Sequence, residues 1–292
     1  MIRAIFASTL AFSSIAPAQD ALKAPLETTY NAWRQAITSR DFGSWERATA
    51  SHRRLEVRNR IISEKRPFPA AIFDIPAAPP AIAGLKFLEA TQNGPTAKAS
   101  YFGRVDFQVD GQPTDNLLVL SYVKEGANWL YDRADFVNLE GLPDVRRELA
   151  AGDLSYLKET PEARASGVVP PMPIAVQSAK YISKVYVFCP GREVQLQVNK
   201  VSRHRFANAK EAEIVIGGAK DGPNEIQYSI KKLEGGTGKE AMTIRVYLFS
   251  EVEGVKPVKA FEYQIQEGEP VKSIGTEMFQ VDAPMVRQIT AK

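Results

Sequence analysis

The sequence predicts an α+β first half followed by an all-β antiparallel sandwich. Three observations carry this. Apolar residues recur at helical spacing up to about residue 64. From Gly84 the period changes to two, and turn residues separate long alternating runs. Beyond a proline-bearing stretch at 162–173, short alternating runs succeed one another with almost no helical periodicity. Helices, then a meander of long strands, then many short strands is the order expected of two differently built layers of core.

The first eighteen residues, Met1–Ala18, have the layout of a secretory signal peptide. Arg3 gives a positive start, a short apolar run follows, and Ala16-Pro17-Ala18 forms a small-x-small cleavage site before Gln19. The run is too short to span a bilayer. The expectation is an exported bacterial protein, periplasmic or secreted, cleaved near Ala18. No later run is apolar enough for a membrane helix.

Residues 19–140 are expected to form the first domain. Tyr30, Trp33 and Ile37 mark a helix, and Asp41-Phe42-Gly43 breaks it. A second helical stretch runs from about Ser44 to Glu64, with Trp45, Ala48, His52, Leu55, Ile61 and Ile62 as an interrupted apolar stripe. Arg66–Pro80 holds five prolines and reads as a loop or covering flap, since proline lacks the N–H and fixes φ. Four strands follow at Leu85–Thr91, Thr96–Val109, Leu117–Lys124 and Asn128–Leu139, divided by Asn93-Gly94-Pro95, Asp110-Gly111-Gln112-Pro113 and Glu125-Gly126. Residues 141–173 read as a helical segment, Leu142–Lys158, and then an interdomain linker stiffened by Pro170, Pro171 and Pro173. Residues 174–292 carry the sandwich, seven or eight short strands such as Val194/Leu196/Val198 and Met242/Ile244/Val246/Leu248.

Composition narrows the function classes. The chain of 292 residues is 44% hydrophobic and 24% charged, as an ordinary globular protein is. Its formal charge of +3, or +2 without Arg3, is too small to imply a nucleic-acid partner. A single cysteine, Cys189, excludes an intrachain disulfide, and with two histidines, His52 and His204, a typical zinc site is nearly excluded. No cofactor is expected.

Residues 24–140 carry a further pattern. The opening helix Tyr30-Asn31-Ala32-Trp33-Arg34-Gln35-Ala36-Ile37, the break at Arg40-Asp41-Phe42, and the closing stretch from Leu117 to Asp132, with its charged glycine turn and a strand opening on Trp129, resemble the NTF2-like superfamily (SnoaL and ketosteroid-isomerase type, cystatin-like). The resemblance implies a curved sheet wrapped around helices to leave a cone-shaped pocket, and sheets that pair into homodimers. Such folds host isomerases, dehydratases, binding modules and scaffolds, so the fold alone does not give function.

An isomerase in that cone needs an Asp base and a phenolic or acidic proton donor. Strand alternation sets Asp106 beside Arg104 on the outer face. It sets Asp135 on one face with Trp129, Tyr131, Arg133 and Val137, a face that lines a pocket mouth. Asp135 as base, with Tyr131 or Tyr101 as donor, is the catalytic set if the protein is an enzyme, although a surface ion pair of Asp135 with Arg133 is the plainer reading. Seven cations between Arg47 and Arg66 face three glutamates. Arg53, Arg54 and Arg58 are the candidate anion-binding residues, against a solvated helix face as the plainer reading. Leu233–Lys239 lacks the first glycine and the Ser/Thr of a phosphate loop and reads as a hairpin turn. Arg203-His204-Arg205 reads as a loop, and Cys189 as a core residue. The expectation is therefore an exported, non-enzymatic binding or scaffold protein for a protein or small-molecule ligand. The alternatives are an isomerase or dehydratase in the cone, and an anionic-glycan or envelope-surface binder using the Arg47–Arg66 helix.

Overall fold

The computed structural model describes residues 16–105 and 113–291. Most of the proposed leader, Asp106, and the Asp110-Gly111-Gln112 turn lie outside them. The described chain is mixed α/β with three antiparallel sheets. It divides into two compact units, one holding residues up to Arg53 with Ile75–Pro171, the other Arg54–Asp74 with Met172 onward.

The first unit is built on a four-stranded meander: β1 (Lys86–Asn93), β2 (Thr96–Val105), β3 (Thr114–Glu125) and β4 (Asn128–Asn138), in that spatial order. Helix α1 (Ala16–Ser39) buries Leu26, Tyr30, Ala36 and Ile37, a stripe at helical spacing. On the facing strands Ala90, Ala97 and Ala99 are small, so the helix's large side chains reach Leu118, Leu120, Tyr122 and Tyr131. Arg40 takes a left-handed backbone (φ 55°) and ends α1. The Asp41 carboxylate then accepts the Ser44 N–H at 3.0 Å and starts α2 (Phe42–Ala48), so the expected break is a cap between two helices.

The stretch expected as one helix from Ser44 to Glu64 is interrupted as well. Thr49 and Ala50 run extended beside Tyr131, whose carbonyl accepts the Ala50 N–H at 2.8 Å. Helix α3 (Ser51–Ser63) follows. Its first N–H and the Ser51 hydroxyl both donate to the Glu125 carboxylate, at 2.7 and 2.6 Å, which satisfies donors the helix cannot satisfy itself.

The second face of the meander is covered too. Helices α4 (Pro143–Ala151) and α5 (Ser155–Glu159), with a 3₁₀ turn at Pro161–Ala163, lay Leu149, Leu157 and Ala163 on Leu88, Leu117 and Val119. Lys86 Nζ donates to the Leu149 and Ala150 carbonyls at the end of α4, where a cation suits the helix dipole. Gly167 N–H donates to Thr96 Oγ1 at 2.8 Å, so the segment expected as a linker begins as part of this layer. A homodimer through this sheet, as the resemblance implied, meets a face already covered by the chain's own helices.

The second unit holds two four-stranded sheets, ordered β11-β10-β5-β8 and β12-β9-β6-β7. The strands are β5 (Ile182–Phe188), β6 (Arg192–Val198), β7 (Ser202–Ala207), β8 (Lys210–Ile214), β9 (Gly222–Lys232), β10 (Met242–Phe249), β11 (Val258–Ile265) and β12 (Ile274–Val281). Inward residues of both sheets share one core, with Val185, Val187, Val194, Phe206, Ile226 and Val246 at 0% exposure. Two elements differ from expectation. Arg203-His204-Arg205 is the middle of β7 rather than a loop. Residues Ala283–Thr290 form α6, started by Asp282, whose carboxylate accepts the Met285 N–H at 2.9 Å. Asp282 before Ala283-Pro284 is an N-terminal helix signal. The Arg66–Pro80 stretch includes a 3₁₀ turn, Ala70–Phe73, that buries Ala71, Ile72 and Phe73.

Candidate functional site

The catalytic set expected from strand alternation does not assemble. Tyr122 pairs with Tyr131 but Ser121 pairs with Arg133, so Asp132 is an extra residue in β4. This β-bulge reverses the facing of every later side chain. Tyr131 and Tyr101 lie on the α1 face. Asp135 is opposite Val119 and Val137 opposite Leu117, which puts Asp135 on the α4–α5 face. There it pairs with Arg133 Nε at 3.5 Å and Lys98 Nζ at 3.7 Å. The base and its donors are thus on opposite sides of the sheet. The adjacent polar residues Asp132 and Arg133, which break the alternation, were the available sign of the bulge.

The α1 face is an aromatic core. Tyr131 meets Trp33 at 4.1 Å, Tyr30 at 5.6 Å and Tyr122 at 6.2 Å between ring centroids. Tyr30 OH donates to Pro80 O at 2.8 Å and Tyr101 OH to Glu27 at 3.2 Å. Burial pushes the phenols of Tyr30, Tyr101, Tyr122 and Tyr131 far above their ordinary range, so they stay neutral.

The bulge has its own partner. Asp132 Oδ1 meets His52 Nε2 at 2.9 Å, with the two side chains 11% and 3% exposed. A histidine held by a carboxylate is the base half of many hydrolytic sites. Here it fastens the first turn of α3 to β4, with the ring 3% exposed.

The second histidine is held more elaborately. Ser202 Oγ lies 2.7 Å from His204 Nε2, and His204 Nδ1 lies 2.6 Å from Glu213 Oε2. These are the contacts of a serine–histidine–glutamate triad. The serine, however, is 0% exposed, and its oxygen also accepts the Ile216 N–H at 2.7 Å. A nucleophile needs an open trajectory, and Ser202 has none. The trio instead joins β7, an edge of one sheet, to β8, an edge of the other.

The glycine loop does cradle an anion, but the anion belongs to the chain. Glu240 accepts the N–H groups of Thr237 and Gly238 at 2.5 and 2.9 Å. Its own N–H and these two hold the carboxyl down at about 2. Gly236 packs so close to Gly191 that a Cβ would stand 2.3 Å from the Gly191 carbonyl oxygen. Cys189 is fully buried, and burial pushes its thiol up, away from the reactive thiolate.

The arginines expected to bind anions are engaged. Arg58 donates to Val176 O at 2.9 Å, and its neighbour Asn59 holds Ile174 O and the Val176 N–H at 2.9 and 3.1 Å. Arg53 and Arg54 also have partners. With His52, Asn59, Ile61 and Ser63 buried, α3 is a packed helix with engaged arginines.

Open concavities among the described residues include the following two. In the first unit, a cleft of about 480 Å³ runs between α1, α2 and the β3–β4 turn, lined by Thr28, Ser44, Arg47, Asn128 and Trp129. In the second, a concavity of about 400 Å³ lies on the β12-β9-β6-β7 sheet. No three His, Cys, Asp or Glu side chains are arranged to hold a metal ion among the described residues, and no described helix is long and apolar enough to cross a membrane. In comparisons with known proteins, no family model, no curated protein and no solved structure matches this chain.

Proposed function

We propose that this chain is an exported, non-catalytic binding protein whose first unit follows the NTF2-like plan. The observation that carries the reading is the state of the Ser202–His204–Glu213 trio. Among the described residues, the arrangement with the contacts of a hydrolytic triad has a serine sealed from solvent and its oxygen already accepting a backbone N–H. The other histidine is closed over Asp132 in the same way. An isomerase centred on Asp135 is disfavoured, because that carboxylate is paired with Arg133 and Lys98 across the sheet from Tyr131. The NTF2-like reading of the first unit is supported by its order of elements, helices first and then a four-strand meander under α1. Export is supported by the leader-like start.

A serine-reactive fluorophosphonate tests the non-catalytic reading directly. The native protein is treated with excess probe and its mass and peptide map are recorded. We expect no adduct at Ser202. A stoichiometric adduct there would overturn the reading, since it requires an accessible and activated hydroxyl. Sequencing the mature protein from the culture or periplasm tests export; we expect Gln19 as the first residue.

A further inference from the structure

The outward faces of the two sandwich sheets are furnished differently. On the β11-β10-β5-β8 sheet the outward side chains are laced by ion pairs: Arg245 with Glu262 at 2.5 Å and Lys259 with the same Glu262 at 2.5 Å. On the β12-β9-β6-β7 sheet the central outward positions are uncharged. The register runs Arg203–Gln197–Gln227–Thr276 across all four strands in one row, and Arg205–Gln195–Ser229–Ile274 in the next. These two rows line the 400 Å³ concavity, apart from Arg205, and the volume lies within the roughly 300–1,000 Å³ of small-ligand sites.

The three amides are held in place by the chain. Gln195 Nε2 donates to Glu193 at 2.8 Å, Gln227 Nε2 to Glu225 at 3.1 Å, and Gln197 Nε2 to the Lys200 carbonyl at 3.0 Å. Each bond takes one N–H and fixes the amide plane. The amide oxygen and the second N–H are left as an acceptor and donor side by side. That pairing suits vicinal hydroxyls, which both donate and accept. Arg205 is occupied by Glu193 at 2.5 Å, whereas Arg203 has no carboxylate partner among the described residues. At the other end Ile274 is 72% exposed, an apolar contact for ring C–H groups.

We propose that this face is a saccharide-binding surface for a hydroxyl-rich chain bearing carboxylates, with hydroxyls on Gln197, Gln227 and Gln195 and an acid group on Arg203. The inference rests on the binding reading above and names its ligand class. The band carries no aromatic side chain in its two rows on which bases of a single strand would stack. An extended peptide would pair with the free edge of β7 or β12 rather than lie across the middle of the sheet.

The test uses the full mature chain and two defined probes, polygalacturonate and neutral dextran, followed by titration calorimetry and by retardation in gels containing each polymer. We expect polygalacturonate to bind, more weakly as salt rises, and dextran to bind less well. The Q197A/Q227A double variant removes only outward side chains. It is expected to lose about tenfold in affinity, the loss of two or so hydrogen bonds. R203A is expected to bring the two polymers to within about twofold of each other, since its charge supplies the preference. Binding of neither polymer, tighter binding of dextran, or a double variant that binds as the parent does would each overturn the proposal. Failure here leaves the Ser202 labelling result standing, and an adduct at Ser202 leaves this surface standing, so the two readings fail separately.

Discussion

Strands β7 and β4 both contribute to the contact of a buried histidine with a carboxylate, yet one obeys strand alternation throughout and the other does not. In β7 the side chains of Ser202, His204 and Phe206 are buried and those of Arg203, Arg205 and Ala207 are exposed, without interruption. In β4 alternation holds as far as Tyr131, is broken by Asp132, and resumes with the opposite sense. The difference lies in what each strand must satisfy. β7 has a single core to face. β4 must bury Tyr131 under α1 and also supply a carboxylate to His52 at the start of α3, and one inserted residue serves both. Parity in a strand is therefore a local property, valid only between bulges.

Deleting Asp132 is the most direct way to break this comparison. The deletion restores regular pairing and sets Arg133 directly after Tyr131, so Arg133 and Asp135 stay opposite Ser121 and Val119 while Ala134 and Phe136 stay opposite Leu120 and Leu118. His52 loses its partner at the same time. The His52 ring, left buried without its partner, and the reshaped backbone beside it are expected to cost about 3 kcal/mol. Chemical denaturation is expected to show that loss with the first unit still folded. A deletion variant whose first unit is unfolded would mean that β4 has no bulge and that the deletion turned every later side chain to the wrong face.

Removing each histidine sharpens the comparison. Asp132 is 11% exposed and has nowhere to turn when His52→Ala takes its partner, so a loss of about 3 kcal/mol is expected. Glu213 is 45% exposed and can be rehydrated when His204→Ala is made. What remains there is a buried Ser202 hydroxyl without an acceptor, a loss of about 1–2 kcal/mol. Urea titration of both variants checks the order; H204A costing more than H52A would reverse the account of which pair is the buried charge.

Much of the fold was legible because its elements depend on one neighbour at a time. The four strands of the meander and the stripe Tyr30, Trp33, Ile37 follow from period and turn residues. The alternation of Val185, Val187 and Cys189 correctly assigned them to a core. What was hidden depends on contacts distant in sequence. The break at Thr49-Ala50 exists because Tyr131, some eighty residues on, offers a carbonyl. β3 is buried from Asn116 to Val123 on both faces because helices before and after it cover the sheet. No motif announces Ser202–His204–Glu213 either: its members span twelve positions and meet only because β7 and β8 close the same end of the sandwich. The proposed amide band was invisible for the same reason, being a cross-strand row.

Acid sharpens the contrast within the second unit. Glu193, 2% exposed, is held down at about 2 by hydrogen bonds from Arg205, then Gln195 and Lys231. Its unfolded value is about 4.3. A carboxyl depressed in the folded state contributes stability that is complete above the unfolded value and is lost as pH falls toward the folded one. The parent is therefore expected to lose stability between about pH 4.3 and 2 by more than Glu193→Gln does, and the variant to be the weaker protein at pH 7. Parallel stability curves for the two proteins over that window would show that Glu193 is not the group concerned.

The smallest effect belongs to the residue that sequence reasoning ranked first. Asp135 sits 37% exposed between Arg133, itself 56% exposed, and Lys98. Exposed ion pairs of this geometry contribute about 0–1 kcal/mol, because solvent screens them and their side chains must be ordered to form them. Asp135→Asn keeps the shape and removes the charge. It is expected to shift stability by less than about 1 kcal/mol and to leave the near-ultraviolet spectrum of the tyrosine–tryptophan cluster unchanged, since that cluster is on the far side of the sheet. Asp132→Asn, one turn of the pleat away, alters a carboxylate that faces a buried histidine and is expected to cost more. The two substitutions are chemically identical and three residues apart. If Asp135→Asn instead disturbs the aromatic spectrum while Asp132→Asn does not, alternation runs unbroken through β4, and the base and its phenols share a face after all.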